Sequence, residues 1–145
     1  MSVTSYPGQL ARRFNQISTA LIDAEFRRVG LDMTPVQYSA LGAIGDQPTI
    51  DQATLAVLIS YDRTTIGGVV DRLVDKGFVS RQTNAQDRRA KVLTLTEQGE
   101  AALSVAHRAV ANAQDQLVRG LDAQERDELK RLLEKAVLAA TEQRK

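Results

Sequence analysis

Arginine and threonine side chains dominate the middle of the chain, where their types and spacing suit contact with a polyanion. Between Tyr61 and Lys91 there are seven basic and four acidic residues, although the whole chain carries a net charge of only +1. Arginine donates paired hydrogen bonds to guanine or phosphate, and threonine can bond a base or offer its methyl group to thymine. The residues concerned are Arg63, Thr64, Thr65, Gly68 and Arg72 in one segment and Asp87, Arg88 and Arg89 in a second. These groups predict binding to nucleic acid.

Few residues could support catalysis. His107 is the single histidine and there is no cysteine. A Ser-His-Asp site would need His107 in a polar cleft, and the chain has no nucleophile-elbow motif. Ligand spacing for a metal cluster is also absent, and Gly67 and Gly68 fall inside a predicted helix rather than in a phosphate-binding loop. We therefore expect neither an enzyme nor a bound cofactor.

The elements that must position these groups follow from apolar spacing and helix caps. Spacings of three and four predict a first helix that ends at Gly30; its apolar stripe is Leu10, Phe14, Ile17, Leu21 and Ala24. Thr34, followed by proline and glutamine, is typical of a capping box that opens a second helix, which stops at Gly45. The same spacing at Thr49 predicts a short third helix, followed by a turn at Ser60-Tyr61.

The fourth helix and a hairpin come next. Asp62 is a good N-cap for a helix that runs to Lys76, and Gly77 is a typical C-terminal stop. The apolar spacing predicts an inward face for this helix made of Ile66, Val69, Val70 and Leu73. The apolar period then changes to two, which predicts strands over Phe78–Arg81 and Val92–Leu95 with a polar loop between them.

The third and fourth helices and the hairpin have the order of a winged helix-turn-helix. The fourth helix would be the recognition helix, with its N-terminal residues facing base edges in the major groove of DNA. The loop around Arg89 fits a wing tip, where an arginine enters an A·T-rich minor groove and Asp87 orients it. A solvated, charged hairpin tip is the alternative. Gly67 and Gly68 each cost the helix about 1 kcal/mol relative to alanine; they either let the helix backbone approach DNA or permit tight packing on the third helix.

Two C-terminal helices complete the chain. Thr96 caps a fifth helix with heptad-like apolar spacing, and Gly120 ends it. Asp122 and Glu125 have capping-box spacing and open a sixth. In so short a chain these helices have little to pack against, so a two-fold partner is the economical way to bury their apolar stripes.

The chain resembles the MarR family of bacterial transcriptional regulators. The resemblance is carried by Asp62–Ile66, Val70–Leu73 and Lys76-Gly77. It continues through Asp87-Arg88-Arg89, similar to the family's D-x-R wing, and Leu95–Gly99, similar to its L-T-x-x-G. It covers essentially the whole chain, and the order and spacing of the motifs make it specific.

The resemblance implies a mainly α fold with a small β-hairpin. Residues 34–95 would form the winged helix-turn-helix lobe, and residues 10–29 and 97–143 the dimerisation helices, of a single domain 1–145. It also implies an obligate homodimer on a near-palindromic operator, most simply a repressor that a small ligand releases. Because no cysteine can sense oxidants, we expect a small organic effector, by analogy a phenolic or hydroxynicotinate-like acid.

Four residues are candidates for contact with such a ligand. His107 lies beside the apolar stripe of the fifth helix and could pair with a carboxylate in a pH-dependent way, although such a histidine is more often satisfied at a packing edge. Arg12 and Arg13 could supply bidentate carboxylate recognition, although surface arginines near helix starts are common. Tyr38, on the second helix, is the fourth candidate.

Two other functional classes fit the same elements. One is an architectural DNA-binding protein without a ligand switch, and the other is a helical dimerisation adapter that does not bind DNA. No apolar run approaches the about 18 residues of a membrane-spanning helix, and the start of the chain lacks the pattern of a secretory signal. We therefore expect a cytoplasmic protein, associated with the nucleoid when bound to DNA.

Overall fold

The computed structural model describes residues 2–59 and 61–143, which contain six α-helices, three strands and a short 3-10 turn at Val3–Ser5. The helices are α1 (Pro7–Arg28), α2 (Pro35–Asp46), α3 (Gln52–Leu58), α4 (Arg63–Asp75), α5 (Glu97–Leu117) and α6 (Ala123–Glu142). The strands β1 (Ile50–Asp51), β2 (Val79–Thr83) and β3 (Lys91–Leu95) form one antiparallel sheet in the order β1-β3-β2. The predicted mainly α fold with a small hairpin is confirmed. No helix in the described ranges is long and apolar enough to cross a membrane.

Capping side chains start most of the helices where the sequence predicts. At the capping box that opens α2, Thr34 Oγ1 accepts from the Gln37 amide and Gln37 Oε1 accepts from the Thr34 amide, each at 3.2 Å. Asp122 heads a second capping box at α6. Asp62 and Thr96 cap α4 and α5. Ser60, half of the predicted turn before α4, lies outside the described residues.

The prediction for the start of α3 is wrong. Thr49 is not its N-cap, because its backbone has a φ of +69° and the next two residues pair with β3 as strand β1. Asp51 caps α3 instead, accepting from the Thr54 amide at 2.7 Å. A left-handed, β-branched residue stores about 1–3 kcal/mol of strain, and here the Thr49 amide donates to the Leu93 carbonyl at 3.1 Å.

Gly45 does not end α2, which continues to Asp46. A Cβ at Gly45 would lie 3.1 Å from the side chain of Leu103 and 3.3 Å from that of Leu95. The glycine therefore allows α5 and β3 to pack closely on α2. The prediction of a helix stop at Gly45 is wrong, because glycine is needed there for packing.

The hydrophobic core lies between α2, α3, α4, the sheet and the facing sides of α1 and α5. The predicted inward face of α4 is confirmed, since all of its members are buried: Ile66, Val69, Val70 and Leu73. The predicted stripe of α1 is not its buried face. Ile22 and Phe26 are buried instead, whereas Leu10 and Ile17 are exposed.

Helix α6 has no buried residue in its described length. Its exposed apolar side chains are Leu132, Leu133, Val137 and Leu138. Leu133 and Leu129 share an open groove of about 420 Å³ with the exposed stripe of α1. The structure therefore presents a continuous, unpartnered apolar face on α1 and α6, which we call the α1–α6 face.

A close backbone contact joins the hairpin to α5. The Thr96 amide donates to the Phe78 carbonyl at 3.0 Å, and the Thr96 hydroxyl donates to the Gly77 carbonyl at 2.5 Å. A Cβ at Gly99 would overlap the Phe78 carbonyl oxygen. The glycine of the Leu95–Gly99 motif is therefore required for α5 to lie against the entry to β2.

Gly99→Ala is expected to destabilise the protein by about 1–3 kcal/mol or more, because backbone rather than a mobile side chain must move. Urea unfolding at one protein concentration measures the loss. Gly120→Ala is the matched control, since nothing lies within 4 Å of a Cβ built at Gly120 among the described residues. Equal free energies of unfolding for the two variants would show that the contact at Gly99 is not tight.

Candidate nucleic-acid interface

The two helices of the helix-turn-helix begin with the same side-chain cap. Asp51 accepts from the Thr54 amide and Asp62 from the Thr65 amide, both at 2.7 Å, and the threonine hydroxyls donate to the same carboxylates at 2.9 and 3.0 Å. These amide bonds hold the pKa of Asp51 and of Asp62 below its usual range. Thr65 thus uses its hydroxyl within the cap, which leaves its methyl group for contact with a base.

The outer face of α4 is polar and open. Five predicted contact residues are exposed opposite the buried apolar face of the helix: Arg63, Thr64, Thr65, Gly68 and Arg72. Residues 64, 68 and 72 are four apart, so they follow one line along the helix surface. The structure therefore places the five predicted α4 contacts on its solvent side.

The two central glycines of α4 have different surroundings. A Cβ at Gly67 would lie 3.7 Å from Gln52 Nε2 of α3, which is an ordinary packing distance. At Gly68 a Cβ would meet nothing within 4 Å in the described part of the chain. Tight packing on α3 therefore does not explain Gly67, where a Cβ would fit, and Gly68 lies on an open surface that another molecule can approach.

The predicted wing is a β-hairpin whose pairing runs from Val79↔Leu95 to Thr83↔Lys91. At its tip, Asp87 Oδ1 accepts from the Arg89 amide at 3.0 Å and lies 3.7 Å from Arg89 Nε. Arg88 is exposed, and the Arg89 side chain is 96% exposed. Asp87 therefore shapes a turn from which both arginines project into solvent.

Helix α4 and the wing meet at one cleft. Arg63, from the first turn of α4, and Arg89, from the wing tip, both line a cleft of about 200 Å³. Its other lining residues are Asp51, Gln52, Ala53, Ala90 and Lys91. Arg81 of β2 donates to Asp71 of α4 at 2.7 Å, which ties the hairpin to the helix. The two predicted basic segments thus share one surface, which we call the basic cleft.

A second cleft separates α2 from α5. Tyr38 Oη and His107 Nδ1 lie 2.8 Å apart, and their rings meet edge to face with centroids 5.5 Å apart. The cleft has a volume of about 420 Å³, and its other lining residues are Ser39, Gly42, Ala43, Asp46, Gln47 and Leu58. Burial, with a smaller contribution from Asp46, raises the pKa of Tyr38, so the phenol stays neutral and can donate. We call this the Tyr38–His107 cleft.

The structure does not bring the four predicted ligand residues together within one chain. Arg13 lines the groove between α1 and α6, and Arg12 lines neither this groove nor the Tyr38–His107 cleft. The acidic residue that lines the cleft is Asp46. Sequence periodicity cannot show which face of α1 meets α2, so it does not separate Arg12 and Arg13 from the site of Tyr38.

Sequence reasoning missed several lining residues. Gln52 and Lys91 belong to the basic cleft, and the Gln52 Oε1 atom is buried there without a partner in the described residues. Gly42 and Asp46 belong to the Tyr38–His107 cleft. Their positions four and eight residues after Tyr38 are a signal that could have identified them, since such residues share a helix face.

Comparisons with known proteins agree with this geometry. The MarR family model matches residues 31–90. MarR from E. coli, in its apo form, is 30% identical, with 90% of this chain and 96% of that chain covered and a TM-score of 0.78. A mutant of it complexed with operator DNA is 28% identical, with 94% and 99% covered and a TM-score of 0.83.

Two further solved structures cover nearly the whole chain. A protein from Pseudomonas aeruginosa, described as a probable transcriptional regulator, is 30% identical over 93% of this chain and 99% of its own, with a TM-score of 0.84. The PcaV transcriptional regulator from Streptomyces coelicolor, in complex with its natural ligand, is 28% identical over 97% of each chain, with a TM-score of 0.83. The family consists of transcription regulators rather than enzymes. The winged lobe, the basic cleft and these identities together show that this chain belongs to the MarR family of transcriptional regulators.

Proposed function

We propose that this chain is a sequence-specific repressor that binds a near-palindromic DNA operator as a homodimer and is released by a small aromatic ligand. The observation that carries the proposal is that Arg63 and Arg89 line the same cleft. A recognition helix in the major groove and a wing in the flanking minor groove require this arrangement. The complex of the related E. coli MarR mutant with operator DNA supports it. Such a regulator would act in the cytoplasm, on the nucleoid.

The charge of the interface is local. Arg63, Arg88, Arg89 and Lys91 are all exposed around the basic cleft, although the chain as a whole is nearly neutral. Neutralising phosphates releases counterions, so the DNA affinity should fall steeply with salt. A non-sensing architectural protein would share this salt dependence but would lack sequence preference and a response to ligand.

The α1–α6 face supports the homodimer. An isologous interface uses the same surface on both subunits, and a helix with exposed apolar residues along its length needs such a partner to remove them from water. In this arrangement residues 10–29 and 97–143 form the dimerisation part and residues 34–95 the DNA-binding part. Two copies would place two recognition helices in successive major grooves, about 34–36 Å apart.

The Tyr38–His107 cleft supports a ligand switch, because it lies between α2 of the DNA-binding part and α5 of the dimerisation part. The PcaV structure contains that protein's natural ligand. Leu58, Ala43 and Gly42 offer a thin apolar slot, and the Tyr38 hydroxyl and His107 offer hydrogen bonds, which suits a flat ring with polar substituents. A carboxylate of a phenolic or hydroxynicotinate-like acid would face Asp46 as well as His107, whereas a neutral phenol would meet no repulsion from Asp46.

Arg63→Ala and Arg89→Ala should each weaken binding to a duplex enriched from a random library by about 30-fold or more, since a dimer loses two arginine contacts, each worth about 1–3 kcal/mol. Arg63→Ala should relax the preference in the half-site core, and Arg89→Ala should lose the flanking A·T preference. Fluorescence anisotropy over a salt series and repeated selection measure both effects. Lys135→Ala, on the exposed surface of α6, removes the same charge as a control. If Arg89→Ala and the unmodified protein bind equally, the wing assignment is wrong.

Leu133→Asp should raise the dimer dissociation constant by at least about 100-fold, because a two-fold interface loses the burial of two leucines, each worth about 1.5–3 kcal/mol. Sedimentation equilibrium gives the constant. Val57→Asp is the control, because Val57 is also an exposed apolar residue but lies on α3, outside the α1–α6 face. We expect it to leave the dimer dissociation constant unchanged. A Leu133→Asp protein that remains dimeric would place the interface elsewhere.

Tyr38→Phe should leave DNA affinity unchanged without ligand and raise the concentration of ligand needed for release by up to about tenfold, the value of one hydrogen bond. Release is measured with a panel of neutral phenols and of hydroxybenzoates, which separates the two ligand chemistries. Tyr61→Phe, an exposed tyrosine on the same lobe, is the control. Equal release curves for both variants would exclude the cleft as the ligand site, and a panel without any effect would favour the architectural alternative.

A further inference from the structure

Lys76 connects the end of α4 to parts of the molecule outside the helix-turn-helix. Its Nζ atom donates to the Asp32 carbonyl at 2.5 Å and to Gln37 Oε1 at 3.0 Å, and it lies 3.8 Å from the Asp32 carboxylate. The side chain is only 24% exposed. One ammonium group therefore joins the last turn of α4 to the loop before α2 and to the first turn of α2.

The acceptor on α2 is held rigidly. Gln37 is 5% exposed, and its Oε1 also accepts from the Thr34 amide at 3.2 Å. Both lone pairs of this oxygen are thus used, one by the capping box of α2 and one by Lys76. The orientation of Gln37 is fixed by α2, so the contact fixes Lys76 relative to α2 rather than merely solvating it.

The contact lies at the opposite end of α4 from Arg63, whose turn faces the base edges in the proposed complex. Helix α4 has 13 residues and is therefore about 20 Å long, with Arg63 at one end and Lys76 just beyond the other. Its apolar face packs on the core, and the hydrogen bonds of Lys76 add a directional contact at its C-terminal end. A change of tilt at Lys76 would displace Arg63 in the groove.

We propose that Lys76 is a positioning residue for DNA recognition: it sets the tilt of α4 by fixing its C-terminal end to Asp32 and Gln37. This inference rests on the proposed function. Lys76 acts through α4 rather than through phosphate, because its ammonium group already donates two hydrogen bonds within the protein and its side chain is only 24% exposed.

Lys76→Met tests the proposal, because it keeps an unbranched side chain and removes the ammonium group. Gln37 Oε1 keeps its bond from Thr34, so no buried acceptor is left unpaired and the fold should persist. We expect the affinity for the enriched duplex to fall about tenfold, the loss of roughly one hydrogen bond to a charged group, while the affinity for a scrambled duplex of equal length changes less than about twofold. The salt dependence of binding should match that of the unmodified protein, and Lys76→Arg should restore most of the preference.

Lys91→Met provides the contrast, since Lys91 lines the basic cleft. A phosphate contact there predicts equal weakening on both duplexes and a salt slope reduced by about one. If Lys76→Met behaves like Lys91→Met, or changes neither duplex, the positioning role is excluded. If Lys76→Met does not fold, the ratio of affinities for the enriched and scrambled duplexes is measured for Lys76→Gln instead. If the unmodified protein binds no duplex, the proposed function fails, which is a different result.

Discussion

The buried face of α4 packs on α2 and α3 and so fixes the helix whose outer face carries Arg63 and Arg72. Ile66, Val70 and Leu73 are completely buried on that face. Directional contacts then set the position of α4 among its neighbours: Asp71 accepts from Arg81 of β2, and Lys76 donates to Gln37 of α2. The Asp71–Arg81 contact holds α4 beside the hairpin, whereas Lys76 holds the C-terminal end of α4 on α2. Weakening these contacts would leave a folded helix at the wrong angle rather than an unfolded one.

The two parts of the molecule meet along α2 and at the start of α5. Gln37 and Tyr38 are adjacent, yet the first contacts Lys76 of α4 and the second contacts His107 of α5. At the start of α5, the missing side chain of Gly99 lets that helix lie against the backbone that leads into β2. Short, directional contacts therefore connect the recognition helix to the helices that carry the apolar α1–α6 face.

The parts of the fold that follow local rules could be predicted from the sequence. The capping box at Thr34, the cap at Asp62 and the buried face of α4 depend on neighbouring residues alone, and each is found where predicted. Strand β1 could not be predicted, because two residues that pair across the chain leave no alternation to detect. Gly45 was misread because a close helix crossing and a helix stop both favour glycine.

The same limit applies to the functional surfaces. The helix and the hairpin that carry Arg63 and Arg89 could be predicted because they are local elements, and the structure brings both side chains to one cleft. Their contact with DNA stays a prediction. Whether Arg12 and Arg13 lie near Tyr38 depends on which face of α1 meets α2, and the sequence alone does not show this. The apolar stripe of α1 is a single face as predicted, but Leu10 and Ile17 on it stay exposed within one chain, whereas Phe26, outside the stripe, is buried. Tertiary contacts decide which face of a helix packs on its neighbours, and apolar periodicity alone does not reveal those contacts.

The central claim is that one surface, duplicated by a two-fold axis, reads DNA through α4 and the wing. Hydroxyl-radical footprinting of a duplex enriched from a random library, with the stoichiometry of the complex measured by light scattering, addresses it most directly. The account predicts two chains per duplex and two protected half-sites whose centres are one helical turn apart, about 10–10.5 base pairs, with further minor-groove protection on their outer flanks. A single protected segment bound by one chain, or protection without outer flanks, would contradict it.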